Sequence, residues 1–157
     1  PEAIAEIQRL RLKIVTQPNF VAERGADYRR NVDPRDLPHL YRVRSWLAHG
    51  VTVAGGTDAP FGDCDPWRAM RAAVDRLDVN GECLNPEECV SPEQALALFS
   101  QGTLRAGEIA DLCLLTLPWR EARTQLSSDL VVATLRAGVL ISSPAPGAPR
   151  GPNPDFT

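Results

Sequence analysis

The stretch Val51-Thr-Val-Ala-Gly-Gly-Thr-Asp-Ala-Pro60 decides the fold class. Its first four residues are β-branched or small and show no polar alternation, which is typical of a strand buried on both faces of a parallel sheet. Gly55 and Gly56 remove side chains where other groups approach the backbone closely. A single carboxylate, Asp58, then follows the predicted strand. In a parallel α/β barrel the carboxyl ends of the strands face the active site, so Asp58 is the leading catalytic candidate.

Asp58 also has a structural interpretation, because an aspartate in a Thr-Asp-Ala-Pro context can cap the next backbone N–H groups of a turn. The carboxylates of Asp63 and Asp65 lie nearby, and we interpret them as loop and helix-cap residues. The two histidines, His39 and His49, fall in one predicted helix rather than at strand ends, so we interpret them as helix residues and not as ligands.

The first fifty residues alternate between helix and strand. Ile4, Ile7 and Leu10 recur at helical spacing, and Lys13-Ile-Val-Thr16 follows as a short strand. Residues 19–31 are polar and have no period, which predicts a long loop with substrate contacts on the active-site face. An apolar stripe predicts one helix from Asp33-Pro34 to Gly50. The stripe consists of Leu37, Leu40, Val43 and Leu47.

The second half begins with helices and changes to strands. Asp65-Pro66 predicts a helix start, with Trp67 and Met70 on its buried face. Ser91-Pro-Glu-Gln94 is a capping box that opens a short helix. Residues 104–116, with 112–115 as a buried run, and residues 131–141 are predicted strands. The predicted domains are therefore 1–100, part of a barrel, 101–141, β-sandwich strands, and 142–157, a flexible Pro/Gly-rich tail.

Composition describes an ordinary globular chain of 157 residues, 43% hydrophobic and 24% charged. With 17 basic and 20 acidic residues the net charge is -3, and no basic stripe of the kind that binds nucleic acid is present. No apolar run approaches the roughly 20 residues of a membrane span, and no signal peptide is visible. The four cysteines form no Cys-x-x-Cys pair, which favours free thiols and a cytoplasmic location.

The motifs follow one another in the order found in amidohydrolases of the YtcJ-like branch, which this sequence resembles over about residues 4–140. No single motif is specific, but the serial order is. The matching segments are Gln17-Pro-Asn-Phe20, Gly25-Ala-Asp-Tyr28, Gly50-Val51, Gly55-Gly-Thr-Asp-Ala-Pro60, Asp65-Pro66, Ala73-Val-Asp-Arg76, Ser91-Pro-Glu-Gln-Ala-Leu96 and Gly107-Glu-Ile-Ala-Asp-Leu112. The resemblance implies an α/β fold: a TIM-like (β/α)8 barrel with a small β-sandwich, to which Asp111 would belong as a structural residue.

The resemblance also implies one or two divalent metal ions, zinc by preference. In this superfamily the ligands are a His-x-His pair, a lysine or acid, two further histidines and an aspartate on the eighth strand. Asp58 matches that aspartate, as a catalytic residue and a metal ligand, whereas the single lysine, Lys13, lies at the wrong end of its strand. Because a whole barrel needs roughly 250 residues, we expect the chain to be the C-terminal part of a larger enzyme, beginning after the sixth strand and inactive alone.

The implied activity is metal-dependent hydrolysis of a C–N bond other than a peptide bond, in an amide, formamide or cyclic imide. The eighth-strand aspartate would accept the proton of the metal-bound water and return it to the leaving amine. The expected partners are a small-molecule substrate and the remainder of the barrel, with a homo-oligomer left open. Two alternatives stay open: a non-catalytic fragment or paralogue that keeps only the fold, and an α/β binding module that uses residues 19–31.

Overall fold

Two separate sheets and six helices make up the described residues of the computed structural model, which are 2–100, 102 and 104–142. The chain is therefore mixed α/β, as predicted. The elements are α1 (Glu2–Arg9), β1 (Lys13–Thr16), α2 (Asn19–Asn31), α3 (Val43–Ala48), β2 (Thr52–Gly55), α4 (Pro66–Asp75), α5 (Pro92–Phe99), β3 (Leu112–Leu115), α6 (Trp119–Ala122), β4 (Val131–Arg136) and β5 (Val139–Ser142). Short 3-10 turns occur at Leu37–His39, Pro86–Glu88 and Ser128–Leu130.

Strands β1 and β2 pair in parallel, with Ile14 opposite Val53 and Thr16 opposite Gly55. Helices α2 and α3 lie in the crossover between them, which is the βαβ arrangement that parallel strands require. Gly55 admits the ring of Phe99 from α5, since a Cβ there would lie 2.5 Å from Phe99 Cζ. The carboxyl ends of both strands meet at one edge, and the loop with Asp58 leaves from that edge.

The prediction that the strand run is buried on both faces is wrong for the described residues. Val51 is buried, but Thr52 is exposed and the other residues of β2 are half-buried. Val15 of β1 is 59% exposed. The reason is that, among the described strands, β2 pairs only with β1 in a two-stranded sheet, whereas a strand buried on both faces needs a wider sheet covered from both sides.

The predicted loop at residues 19–31 is also wrong, because this segment is helix α2. Helix α2 packs against α4, and its buried residues include Phe20, Val21 and Gly25. Gly25 permits that approach, since a Cβ there would lie 2.9 Å from Asp78 Cβ. Arg29 forms a salt bridge with the same Asp78. Packing against a distant helix therefore stabilises α2 although its own sequence lacks a hydrophobic period.

The predicted helix from Asp33 to Gly50 is divided in two. A 3-10 turn covers Leu37–His39, Tyr41 has a positive φ of 51°, and α3 begins only at Val43. The break lies at Leu40, whose backbone is extended (φ -77°, ψ 126°), and at the left-handed Tyr41, so the chain leaves helical geometry directly after the 3-10 turn. The buried Arg76 compensates by donating hydrogen bonds of 3.0 Å to the carbonyl oxygens of Leu40 and Tyr41. Gly50, at φ 68°, ends the segment as predicted.

Helices α4 and α5 begin as the sequence predicts. The Asp65 carboxylate accepts a 2.9 Å hydrogen bond from Trp67 N, and Ser91 and Gln94 form the complete capping box. Both helices contribute to a hydrophobic core whose buried members come from five regions of the chain. These members are Val43, Trp67, Met70, Ala73, Val90, Ala95, Leu98 and Leu126.

Strands β3, β4 and β5 form an antiparallel sheet in that order, which confirms strands in both predicted regions. The predicted buried run at 112–115 is wrong, because Cys113 and Leu114 are exposed and the flanking leucines half-buried. The prediction of a flexible tail at 142–157 falls outside the described residues, except for Ser142, which ends β5. No helix in the described part of the chain is long and apolar enough to cross a membrane.

Candidate functional site

Asp58 lies three residues beyond the carboxyl end of β2, in a turn that its backbone organises. Its φ is 58°, and its carbonyl oxygen accepts hydrogen bonds from Phe61 N at 2.9 Å and Gly62 N at 3.0 Å. The residue is exposed, and its carboxylate makes no hydrogen bond or salt bridge to any residue that the structure describes. The turn thus uses the Asp58 main chain and leaves the side chain available, whereas a capping aspartate would use its side chain.

Asn19 and Glu23 of α2 clamp this turn, the Asp58 loop (residues 57–63), at both ends. The Asn19 side chain is buried, and its Nδ2 donates to the Thr57 carbonyl oxygen at 3.0 Å and to Glu23 Oε1 at 2.9 Å. The same Glu23 oxygen accepts from Asp63 N at 3.1 Å. Gly62 passes directly beside the clamp, where a Cβ would lie 2.5 Å from Asn19 Nδ2. The backbone that carries Asp58 is therefore fixed from outside the loop.

The two neighbouring aspartates have the structural roles that the sequence indicates. Asp63 contacts Arg68 and accepts a hydrogen bond from Asp65 N at 2.9 Å. Burial raises the pKa of Asp63, but the hydrogen bond and the Arg68 charge outweigh it and lower the pKa below its ordinary value. Asp65 caps α4 and also accepts a 2.6 Å hydrogen bond from Ser128 Oγ. Both side chains are engaged, in contrast to Asp58.

The other candidate ligands lie at positions that do not converge on Asp58. His49 Nδ1 is 2.7 Å from the Ser45 carbonyl oxygen at the end of α3, and His39 Nδ1 is 3.1 Å from Arg42 Nη1. Lys13 begins β1, at the strand end opposite to the one from which the Asp58 loop leaves. Asp111 accepts a 2.7 Å hydrogen bond from Ala137 N in the antiparallel sheet, which is a structural role.

The described residues supply only part of a metal site. Zinc sites use three or four protein ligands at about 2.0–2.3 Å, and within the described ranges no group of three or more His, Cys, Asp or Glu could hold an ion. Asp58 supplies one available carboxylate of the right chemistry. The described residues thus fit a single ligand or proton-transfer partner of a metal centre, and they do not by themselves form a complete centre.

An aromatic cluster that sequence reasoning missed borders the Asp58 loop. It consists of Phe20 and Tyr28 of α2, Tyr41 before α3 and Phe61 of the loop, with the Phe20 and Phe61 ring centroids 5.7 Å apart. The hydroxyls of Tyr28 and Tyr41 are 2.8 Å apart. Phe20 and Tyr28 are spaced by eight residues, with Arg24 midway, which is the signal of a helix face that the sequence did contain.

Electrostatics connect this cluster with Asp58. Burial, together with the hydrogen bond and charge of Tyr28, raises the pKa of Tyr41, and the negative charge of Asp58 raises it further. Arg24 acts in the opposite direction and lowers it. The Tyr41 hydroxyl therefore stays protonated beside the loop well above the ordinary tyrosine pKa. A groove of about 240 Å³ between β1–β2 and α3 begins at Tyr41, but its lining does not include Asp58.

Comparison with known proteins gives consistent results. The amidohydrolase family model matches residues 1–141. The chain is 29% identical over 108 residues to the putative amidohydrolase YtcJ of Bacillus subtilis (strain 168), covering 65% of this chain and 20% of that protein. It is 33% identical over 114 residues to the N-substituted formamide deformylase of Arthrobacter pascens, covering 64% and 21%. The chain thus spans about a fifth of the length of these relatives.

A solved structure is similar as well. It is the crystal structure of an uncharacterized metal-dependent hydrolase from Pyrococcus furiosus, with a TM-score of 0.50 and 31% identity. The similarity covers 62% of this chain and 19% of that one.

Proposed function

The chain belongs to the amidohydrolase family, and from that premise we propose that it carries the catalytic aspartate, Asp58, of a metal-dependent hydrolase that cleaves C–N bonds other than peptide bonds. The observation that carries the proposal is the geometry of Asp58. Its carboxylate follows a parallel strand, is exposed, and has no partner among the described side chains. The β1–β2 pair would then be two adjacent strands of a (β/α)8 barrel, whose sites open at the carboxyl ends of the strands.

The chemistry assigned to Asp58 is proton transfer. A divalent ion, zinc in this proposal, would be held partly by ligands outside the described residues and would supply a water with a pKa of about 7 instead of about 16. The Asp58 carboxylate would accept a proton from the attacking water and would then donate it to the departing amine nitrogen. One carboxylate would serve both steps, first as base and then as acid. The Asn19–Glu23 clamp keeps the carboxylate in place, which matters because small misplacements of a catalytic group are costly.

The first substrates to test are small N-substituted formamides. One relative is named an N-substituted formamide deformylase, and a formamide places a small acyl group at the reacting centre. Amides and cyclic imides form the wider set, since the proton-transfer chemistry of Asp58 is the same for all of them.

Asp58→Asn in the intact enzyme tests the proposal, with N-benzylformamide as substrate. The substitution keeps the shape and removes the base, so kcat should fall about 10²- to 10⁴-fold while KM changes far less. Asp63→Asn is the matched control, because its side chain is engaged in the same loop; it should lower kcat at most a few-fold. Metal content is measured for each variant. A wild-type kcat in metal-loaded Asp58→Asn would refute the catalytic assignment and would favour a purely structural role for Asp58 in the turn.

A further inference from the structure

The guanidinium of Arg24 lies on an aromatic platform at the edge of the Asp58 loop. Its Cζ is 4.2 Å from the Phe61 ring centroid and 5.3 Å from that of Phe20. Guanidinium–aromatic contacts of this kind hold the planar group face-on to a ring and leave its in-plane N–H donors pointing outward. Phe61 N bonds to the carbonyl oxygen of Asp58, so platform and candidate catalytic carboxylate belong to one turn.

Arg24 differs from the other arginines of α2 in its partners. Arg29 pairs with Asp78 and Glu82, and Arg30 pairs with Asp27. Arg24 forms no hydrogen bond or salt bridge with any residue that the structure describes, although Glu23 is next to it in sequence. A half-buried arginine with no protein partner for its donors, stacked on the loop that carries the exposed Asp58, is arranged to bind something that this part of the chain does not supply.

The ligand chemistry follows from the groups present. Guanidinium N–H groups match the two oxygens of a carboxylate, and the Phe61 ring, 65% exposed, offers apolar surface next to them. The same loop carries Asp58, and Glu23 contacts it through Asp63 N, so the local charge is negative and disfavours a phosphate dianion more than a monoanion. We propose that Arg24 and Phe61 form a subsite for a substrate that carries a carboxylate on an apolar group, such as an N-formyl aromatic amino acid. This substrate class rests on the function proposed above for Asp58.

Binding of two non-reacting probes to the intact enzyme tests the subsite independently of hydrolysis. Phenylacetate and phenylacetamide have the same ring and differ in charge, so phenylacetate should bind at least about tenfold more tightly. Arg24→Gln should abolish that preference, and Arg24→Lys should keep part of it because the charge remains. Arg136→Gln, an equal change of charge on β4, should leave the preference unchanged. Equal binding of the two probes, or a preference that persists in Arg24→Gln, would overturn the subsite.

Kinetics separate a failure of the subsite from a failure of the proposed function. N-formylphenylalanine and N-(2-phenylethyl)formamide differ only in the carboxylate. Arg24→Gln should raise KM for the first at least about tenfold, leave KM for the second unchanged, and change kcat at most a few-fold for both. If neither compound is hydrolysed but the phenylacetate preference still depends on Arg24, the subsite stands and the proposed hydrolysis fails. If both are hydrolysed and Arg24→Gln changes neither KM, the subsite fails and the hydrolysis stands.

Discussion

Gly62 offers the sharpest test of the clamp around Asp58, through the substitution Gly62→Ala. Its φ is not in the left-handed region, so alanine adds no backbone strain and the whole effect comes from packing. The added Cβ would overlap the Thr57 carbonyl oxygen and lie 2.5 Å from Asn19 Nδ2 and 3.1 Å from Phe20 Cε1. Ordinary contact would require the loop and α2 to separate by about 1 Å, which is overpacking of a kind that costs about 1–3 kcal/mol.

The same displacement breaks the 3.0 Å hydrogen bond from Asn19 to Thr57. A buried amide that loses a hydrogen bond destabilises the fold by about 1–3 kcal/mol more. The lower entropy of the unfolded chain with alanine offsets about 0.4–1 kcal/mol of that loss. We therefore expect Gly62→Ala to lower the free energy of unfolding by about 1–5.6 kcal/mol, the range that these terms span together. Asp58 should also shift, so kcat should fall as well.

Gly56→Ala is the matched control, because it lies in the same segment and its Cβ would meet only Val15 Cγ1, at 3.6 Å. That is ordinary contact, so the free energy of unfolding should stay within about 1 kcal/mol of wild type. Urea denaturation of both variants at equal m-value measures the difference. Unfolding free energies for Gly62→Ala and Gly56→Ala within about 0.5 kcal/mol of each other would refute the packing argument, given the 1–3 kcal/mol expected from overpacking alone.

Three further predictions concern buried and titrating groups. Arg76→Gln should destabilise the protein by about 3 kcal/mol or more, because the buried guanidinium donates to the carbonyls of Leu40, Tyr41 and Leu84. Arg120→Gln, which changes an exposed side chain, is the control. Equal urea midpoints for the two variants would contradict the prediction. The pKa of Tyr41 is raised in the folded state. The stability that this residue contributes is therefore present below the unfolded pKa of about 10 and is lost as pH rises above that value. The tyrosinate absorbance difference between wild type and Tyr41→Phe should show that Tyr41 titrates above the ordinary tyrosine pKa, and a titration step at the ordinary pKa would exclude the shift. The pKa of Asp63 is lowered in the folded state. The stability that this residue contributes is therefore present above a pH of about 4 and is lost as pH falls further. Asp63→Asn should flatten the dependence of the unfolding free energy on pH in this range, and an unchanged slope would show that Asp63 does not cause it.

Local signals in the sequence determined a large part of the fold. The β-branched run before Gly55 and the segment Lys13–Thr16 became parallel strands, and the caps at Asp65 and Ser91 begin the two core helices. Each of these strands and caps depends on residues within one turn or strand of each other, so the local sequence is enough to predict it. The position of Asp58 after β2 follows from the same local pattern.

The tertiary structure alone decided how the surroundings of Asp58 are built. Helix α2 has no clear hydrophobic period, and it exists because it packs against α4, with Gly25 against Asp78 in the turn that follows α4. Arg76 satisfies the carbonyls freed by the break near Pro38 from more than thirty residues away. The clamp by Asn19 and the platform under Arg24 likewise join α2 to a loop about forty residues later. Apart from the helical spacing of Phe20, Arg24 and Tyr28, these contacts between distant residues leave no pattern in either segment, because each side chain is selected by a partner that only folding brings near.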